Sequence, residues 1–564
     1  MKKLSKLHKL LQKIWEHDMK EYPTYATRCG EHRYNDRLSS LSLKDIDRRC
    51  KSKQKFLQNL KNLDRDRMSQ EDQIHYETMK KLLEDEIAEN DFQSYLMPVT
   101  ARQGFHSSFP HLPDLVPLQT VKDYENYIAR LDAFKVYTEQ HIALMCQGIK
   151  KGLVVPRLTL EGCEHTIRCQ LVENTKESRF YKPFLNFPKS FSSEDCRRLE
   201  EAGRKTIEES VLPAYRIFLK FMQEEYLPAS RESISLSALP QGKEYYAFLV
   251  RHHTTLDITP DEVHKIGLNE VERIRREMEA IIKKLEFTGS FAEFLTFLRN
   301  DPRFYVQTPQ QLLQEASYLL KKMDGELPRF FKTLPRTPYG IKEVPDYIAP
   351  QTTTGYYEPP SGDGSKAGFY YVNTYNLKSR PLYELECLSF HETVPGHHLQ
   401  LALQMELTDM PQFRRFSHFS AFLEGWALYS ERLSKEMGFY TDLYCDFGRL
   451  TYEMYRACRL VVDTGMHSLN WPRQKAIDFM LSNTALSEHN IVTEIDRYIS
   501  TPAQALAYKI GEIKIKELRS YAETQLGRLF DLREFHDEVL RHGALPLAIL
   551  ENNIKIYVAS KKQG

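Results

Sequence analysis

The residues best suited to chemistry are His391-Glu392-Thr393-Val394-Pro395-Gly396-His397-His398. A metal-dependent hydrolase needs neutral imidazoles or carboxylates on the ion, an open position for water, and a nearby carboxylate to take the water's proton. His391, Glu392 and His397 supply the beginning of that set. In the familiar H-E-x-x-H arrangement the two histidines are four apart and share one helix face. Here the fourth residue after His391 is Pro395. On a regular helix, His397 would point about 120° away from His391 and sit about 9 Å along the axis. His398 would return to the same face about 10.5 Å along, too far for two zinc–nitrogen bonds of about 2 Å each. The helix must therefore deform between the histidines. Pro395 removes a backbone donor and clashes with the preceding turn, and Gly396 tolerates unusual dihedrals, so the deformation falls where it is needed. The competing reading is a plain Pro-Gly turn between two helices, with the histidines as caps or core residues.

A third ligand is sought in Phe422-Leu423-Glu424-Gly425-Trp426-Ala427-Leu428-Tyr429, where Glu424 lies 33 residues beyond His391, far enough for a loop and a returning helix. The apolar flanks of Glu424 imply burial, where an unpaired carboxylate is costly and a metal would remove the cost. Glu431 is the rival carboxylate, and Glu424 is favoured. Further along, Arg456, Arg459 and Arg497 are candidates to hold a peptide carboxylate, against the alternative of structural ion pairs.

Helical spacing dominates the elements that must position these groups. Thr259-Pro260-Asp261-Glu262, Thr308-Pro309-Gln310-Gln311 and Thr501-Pro502-Ala503-Gln504 each read as a capped helix start. Leu4, Leu7, Leu11 and Ile14 fall at the spacings of an amphipathic helix, with Lys6, Lys9 and Lys13 interrupting any secretory core. The exception is the Pro-, Gly-, Thr- and Tyr-rich stretch from Val344 to Tyr375. Two β-prone runs there, Thr352–Tyr357 and Gly368–Asn373, flank Pro359-Pro360-Ser361-Gly362-Asp363-Gly364 and predict a hairpin or paired strands. Tyr356, Tyr357, Tyr370 and Tyr371 are candidates to line a cleft, and an exposed strand there could take up an extended peptide. The expected organisation is an N-terminal helical region over 1–240 and a catalytic region over 241–564.

Composition narrows the function classes. The 564 residues carry a formal charge of +1, with 41% hydrophobic and 27% charged residues, an ordinary globular balance that gives no pull toward nucleic acid. Nine cysteines without a C-x-x-C pair suggest reduced thiols. No apolar run approaches the roughly 20 residues of a membrane span, and the expectation is a cytoplasmic protein.

The segments HETVPGHHLQ at 391–400, LEGWALYSERL at 423–433 and RLVVDTGMHS at 459–468 resemble domain-of-unknown-function family 885. The resemblance runs from Pro23-Thr24-Tyr25-Ala26-Thr27 to Gly543-Ala544-Leu545-Pro546-Leu547. That family looks like a distant relative of the gluzincin-type helical zinc peptidases. The resemblance implies a mainly α fold, large, helical and zincin-like, with a small β element beside the active-site cleft. It further implies one zinc per chain on His391, His397 and Glu424, with His398 as the substitute for His397. Glu392 would be the general base, and Tyr508 and His467 the candidate donors to the oxyanion. The expected activity is peptide-bond hydrolysis in short peptides. The alternatives are a metal-dependent amidase acting on a small non-peptide amide, or a silent scaffold that binds a peptide or protein.

Overall fold

The computed structural model describes residues 5–346, 349–360 and 366–563. The chain is mainly helical, with a small three-stranded sheet. It divides into two compact units: Met1–Ile234 with Ala238–Gly242, and Ser235–Ser237 with Lys243–Gly564.

In the first unit, α1 (Lys6–Glu21) starts where Ser5 Oγ accepts from the His8 backbone N–H, and it buries Leu7, Leu11 and Ile14 as their spacing requires. Leu4, the first residue of that pattern, lies outside the described residues. The long α2 (Val121–Lys151) opens with a reciprocal Thr120/Asp123 cap and ends at Gly152 in the left-handed region. Its buried Arg130 donates to the carbonyls of Pro23 and Arg37, both at 3.0 Å, and to Thr27 Oγ1 at 2.8 Å. One guanidinium thus ties down the Pro23–Thr27 segment, and Phe109, Phe134, Phe180, Tyr215 and Phe218 fill the core beside it.

The second unit holds the chemistry-bearing residues. Helices α3 (Pro260–Lys284) and α4 (Pro309–Phe330) begin with the expected Thr caps, each reciprocated by the side chain three residues on. The third expected start fails. Thr501 Oγ1 donates back to the Arg497 carbonyl, and the Ala503 N–H goes to Asp463 with Ala503 at φ 66°. A short 3-10 turn follows, and the helix proper begins only at Ala507. Local capping lost there to a tertiary acceptor.

Five further helices frame the site: α5 (Leu382–Glu392), α6 (His397–Met405), α7 (Ser420–Glu436), α8 (Leu443–His467) and α9 (Ala507–Leu526). Helix α8 packs against α3 and α5 and is buried at nearly every position from Asp446 to His467. Charges on such a helix must find partners inside the protein. Arg449 accordingly meets Asp446 at 2.8 Å and Glu453 at 3.2 Å, and Lys509 on α9 reaches Glu453 at 2.8 Å.

Strands β1 (Tyr339–Glu343), β2 (Gly355–Glu358) and β3 (Gly368–Val372) form a sheet in the order β1-β3-β2. The expected antiparallel pair is β2 on β3, with Gly355 opposite Val372 and Glu358 opposite Phe369. Residues 361–364 of the expected connecting loop lie outside the described residues. The sequence reading missed β1, which runs parallel to β3 from Tyr339/Gly368 to Glu343/Val372. Its burial does not alternate in the way that marks a strand from sequence.

Candidate metal centre

The chain breaks rather than bends its helix between the two histidines. Helix α5 ends at Glu392 and α6 begins at His397, with a cis Val394–Pro395 peptide in the connection. The turn is fastened from several sides. The Gly396 N–H donates to the Phe390 carbonyl at 3.0 Å, and Trp426 Nε1 and Ser430 Oγ on α7 donate to the Pro395 carbonyl at 2.9 and 3.2 Å. A Cβ at Gly396 would stand 2.1 Å from the His391 carbonyl oxygen, so only glycine fits. Two helices and a tight turn, the arrangement weighed as the competing reading, still bring the imidazoles together.

His391 and His397 meet edge to face, with ring centroids 4.8 Å apart. Glu424 on α7 presents Oε2 to both, 3.5 Å from His391 Nε2 and 3.4 Å from His397 Nε2. Ligand atoms of the three residues all lie within 4.8 Å of one another. Tetrahedral zinc with bonds near 2.0–2.1 Å holds its ligand atoms about 3.3 Å apart, close to the two Glu424–histidine distances of 3.5 and 3.4 Å. The contacts do not serve as hydrogen bonds, for Glu424 Oε2 is buried without a hydrogen-bond partner among the described residues. Burial pushes the Glu424 carboxyl up, but the facing His391 and His397 imidazoles more than offset this and hold it well below the usual range. Two imidazole nitrogens facing one carboxylate are ligand types that suit a divalent transition metal. His391 is deeply buried while His397 and Glu424 remain partly accessible, which leaves one side of the trio open.

Behind His391 stands Glu431, two turns further along α7 than Glu424. Its Oε1 accepts from His391 Nδ1 at 2.7 Å, its Oε2 accepts from Cys387 Sγ at 2.8 Å, and Arg456 approaches at 3.3 Å. The rival carboxylate of the sequence reading is therefore the partner that holds His391 from behind, with Nδ1 bonded to Glu431 and Nε2 facing Glu424. The orienting role of Glu431 was missed in the sequence; its seven-residue spacing from Glu424, which places both on one helix face, is the signal that could have shown it. Glu431→Gln is expected to weaken zinc binding by about 10–100-fold while leaving one site per chain, measured by competition with a chromogenic chelator.

His398 faces elsewhere. Its Nδ1 bonds the Tyr357 hydroxyl at 2.7 Å, and Tyr339 packs on its ring at 4.8 Å. Burial, partly countered by a backbone bond to Thr337, pushes it down to about 4 and keeps it neutral. Tyr357 thus joins the sheet to α6. Tyr356 stacks on Tyr371 at 4.8 Å and Tyr370 is fully buried. The hydroxyl of Tyr357, one of the residues expected to line a cleft, is thus engaged by His398, while its ring is half-buried.

Glu392 closes α5 one residue after His391 and is half-buried. Tyr508, near the start of α9, is also half-buried, and its ring lies 4.4 Å from the Arg459 guanidinium. Burial and the nearby Glu424 charge push the hydroxyl up to about 12, so at neutral pH it is a donor. His467 does not share this setting. Its Nδ1 accepts from the Leu236 N–H at 3.1 Å and its Nε2 bonds the Tyr498 carbonyl at 3.0 Å. Both ring nitrogens are spent, and the expectation of an oxyanion donor at His467 is corrected.

Two of the three arginines are likewise structural. Arg456 is bound to Glu431 and to the Tyr452 carbonyl. Arg497 is bound to Glu494 at 2.9 Å and Gln504 at 2.8 Å. Their expected role as substrate carboxylate ligands is corrected, since paired groups of a buried helix core were indistinguishable in sequence from a binding patch. Arg459 is paired as well, with Nε donating to the Tyr498 hydroxyl at 2.8 Å and Nη2 reaching Glu494 at 3.4 Å, while its Nη1, like Arg456 Nε, has no hydrogen-bond partner among the described residues.

No helix among the described residues is long and apolar enough to cross a membrane. No curated protein matches the chain. Among solved structures, it is similar to one described as "the putative lipoprotein from Colwellia psychrerythraea", with 28% identity, a TM-score of 0.92, and coverage of 98% of this chain and 99% of that one. A second, "a putative lipoprotein of unknown function from Shewanella oneidensis", shares the fold at 16% identity and a TM-score of 0.74, covering 97% of this chain and 99% of that one. The model of the family described as "Bacterial protein of unknown function (DUF885)" matches residues 23–554, and the chain belongs to that family.

Proposed function

We propose that this protein is a zinc-dependent hydrolase of the zincin-like kind that cleaves peptide bonds in short peptides. The observation that carries the reading is the convergence of His391 Nε2, His397 Nε2 and Glu424 Oε2, with Glu431 orienting His391 from behind. These three residues would hold one zinc per chain. Zinc there supplies Lewis acidity, which makes water a nucleophile near neutral pH and polarises a carbonyl. Glu392, adjacent to the first ligand, accepts the proton of the attacking water and returns it to the leaving amine. Overall, one C–N bond breaks, the water oxygen goes to the acyl carbon, and the amine leaves with the transferred proton. Tyr508 donates its hydroxyl proton in a hydrogen bond to the developing oxyanion. A base beside the first ligand favours this reading over a silent scaffold, which has no need of one.

Peptides are favoured over small amides because β2 lies at the edge of the sheet, the position at which an extended chain adds as a further strand. The sheet is tied to α6 through Tyr357 and His398. Zinc-loaded protein incubated with a mixed pool of short peptides is expected to release new amino termini, detected by mass spectrometry. A chelator is expected to stop the release and added zinc to restore it. Hydrolysis of simple non-peptide amides alone would favour the amidase alternative, and no hydrolysis of either would overturn the reading.

The nine cysteines are free, which fits the reducing cytoplasm. The lipoprotein descriptions of the two similar structures raise a membrane-anchored location as the alternative. Fractionation of cells expressing the full natural gene separates the two.

A further inference from the structure

Two guanidinium groups, Arg459 and Arg497, share one carboxylate, Glu494, inside the second unit. Arg497 is satisfied by Glu494 and Gln504. Arg459 is only 5% exposed and is held between Tyr455 and Tyr508, whose ring centroids lie 4.1 and 4.4 Å from its Cζ. Tyr498 and Glu494 fix its Nε and Nη2, so the guanidinium plane is rigid. Its Nη1 is buried and has no hydrogen-bond partner among the described residues. The other acid of this neighbourhood, Asp463, is bonded to the Tyr246 hydroxyl at 2.6 Å and to the Ala503 N–H at 3.0 Å. A buried charged donor left without an acceptor is costly. Nη1 of this cluster therefore lacks an acceptor. Tyr508 links it to the metal centre, with a partly exposed ring stacked on Arg459 and Glu424 within electrostatic reach.

We propose that Arg459 Nη1, beside the Tyr508 ring, receives the free C-terminal carboxylate of a peptide, so that cleavage occurs at the carboxyl end of the substrate. The inference rests on the hydrolase reading above for its chemistry, but not for its binding. A carboxylate is the anion that matches a fixed guanidinium, through a charge-assisted hydrogen bond that displaces no existing partner of Nη1. An amidated or internal segment offers Nη1 only a neutral oxygen. The Tyr508 ring, with one face on the guanidinium, forms the wall between the two subsites.

The test uses one N-acetylated pentapeptide in two forms, free acid and C-terminal amide. Binding of each to the zinc-loaded Glu392→Gln protein is measured by calorimetry, and hydrolysis of each by wild type is followed by mass spectrometry. The acid is expected to bind about 10–100-fold more tightly than the amide, the range of one hydrogen bond to a charged group. In a Glu392→Gln, Arg459→Gln double variant the preference is expected to vanish through loss of acid binding. Wild type is expected to cleave the acid near its carboxyl end. Equal binding of acid and amide, or no binding of either, overturns the carboxylate subsite. An Arg459-dependent preference for the acid without hydrolysis by wild type would leave the subsite standing and remove the hydrolase reading. Equal cleavage of both forms would do the reverse. If the Arg459 replacement does not fold, the acid–amide comparison in the folded protein still decides.

Discussion

Glu392→Gln is expected to lower peptide hydrolysis by about 1000-fold, within the span of a positioned general base. Zinc content and thermal stability should stay unchanged. The substitution keeps size and hydrogen bonding but removes the proton acceptor. Glu392 is the last residue of α5, half-buried, and stands outside the His391–His397–Glu424 contacts, so its loss leaves the ligand set intact. Single-turnover assays on protein of known zinc content separate this outcome from a loss of metal. Activity within a few-fold of wild type would remove Glu392 from the chemistry and shift attention to other groups on the open side of the trio.

The second large effect is structural. Gly425 follows Glu424, and a Cβ there would stand 2.5 Å from the Gly511 backbone on α9. The reciprocal Cβ at Gly511 would stand 1.9 Å from the Ala421 carbonyl oxygen. Helices α7 and α9 therefore touch backbone to backbone at the turn that delivers the carboxylate ligand, and neither surface can yield by rotating a side chain. Gly425→Ala is expected to cost about 3 kcal/mol or more, the upper range of overpacking, and to weaken zinc binding as Glu424 is displaced. Gly325→Ala on α4 is the control: nothing lies within 4 Å of its Cβ, and alanine is expected to stabilise that helix by up to about 1 kcal/mol. Urea unfolding of both variants, with zinc titrations, checks the contrast. Equal stability of the two would mean that the α7–α9 contact does not constrain the site.

Much of the site was legible because its signals are local. The Pro395-Gly396 pair marked where the helix had to give way, and the apolar flanks of Glu424 marked a buried carboxylate. The capping boxes at Thr259 and Thr308 likewise depend on residues three apart, and they form as their sequences predict. Long-range contacts were not legible. Thr501-Pro502-Ala503-Gln504 carries the same local signal, yet Asp463, forty residues upstream, takes the Ala503 N–H and turns the chain out of the helix. His467 looked like a donor until the Leu236 N–H and the Tyr498 carbonyl claimed both nitrogens. The three arginines had equal standing in sequence. All three turn out to be paired, Arg456 with Glu431 and both Arg459 and Arg497 with Glu494; Arg459 is set apart by lying against the half-buried Tyr508 ring with Nη1 unpartnered among the described residues. Strand β1 escaped notice because its partner, β3, lies more than twenty residues away and its own burial does not alternate.

The most direct measurement is elemental analysis of metal in wild type, His391→Ala, His397→Ala, His398→Ala and Glu424→Ala, each purified without chelator and then supplied with zinc. About one zinc per wild-type chain is expected, lost in the His391, His397 and Glu424 variants and retained in His398→Ala, whose ring is bonded to Tyr357 instead. Folded wild type that takes up no divalent metal, or a His398→Ala protein that loses its zinc while His397→Ala keeps it, would contradict the proposed centre.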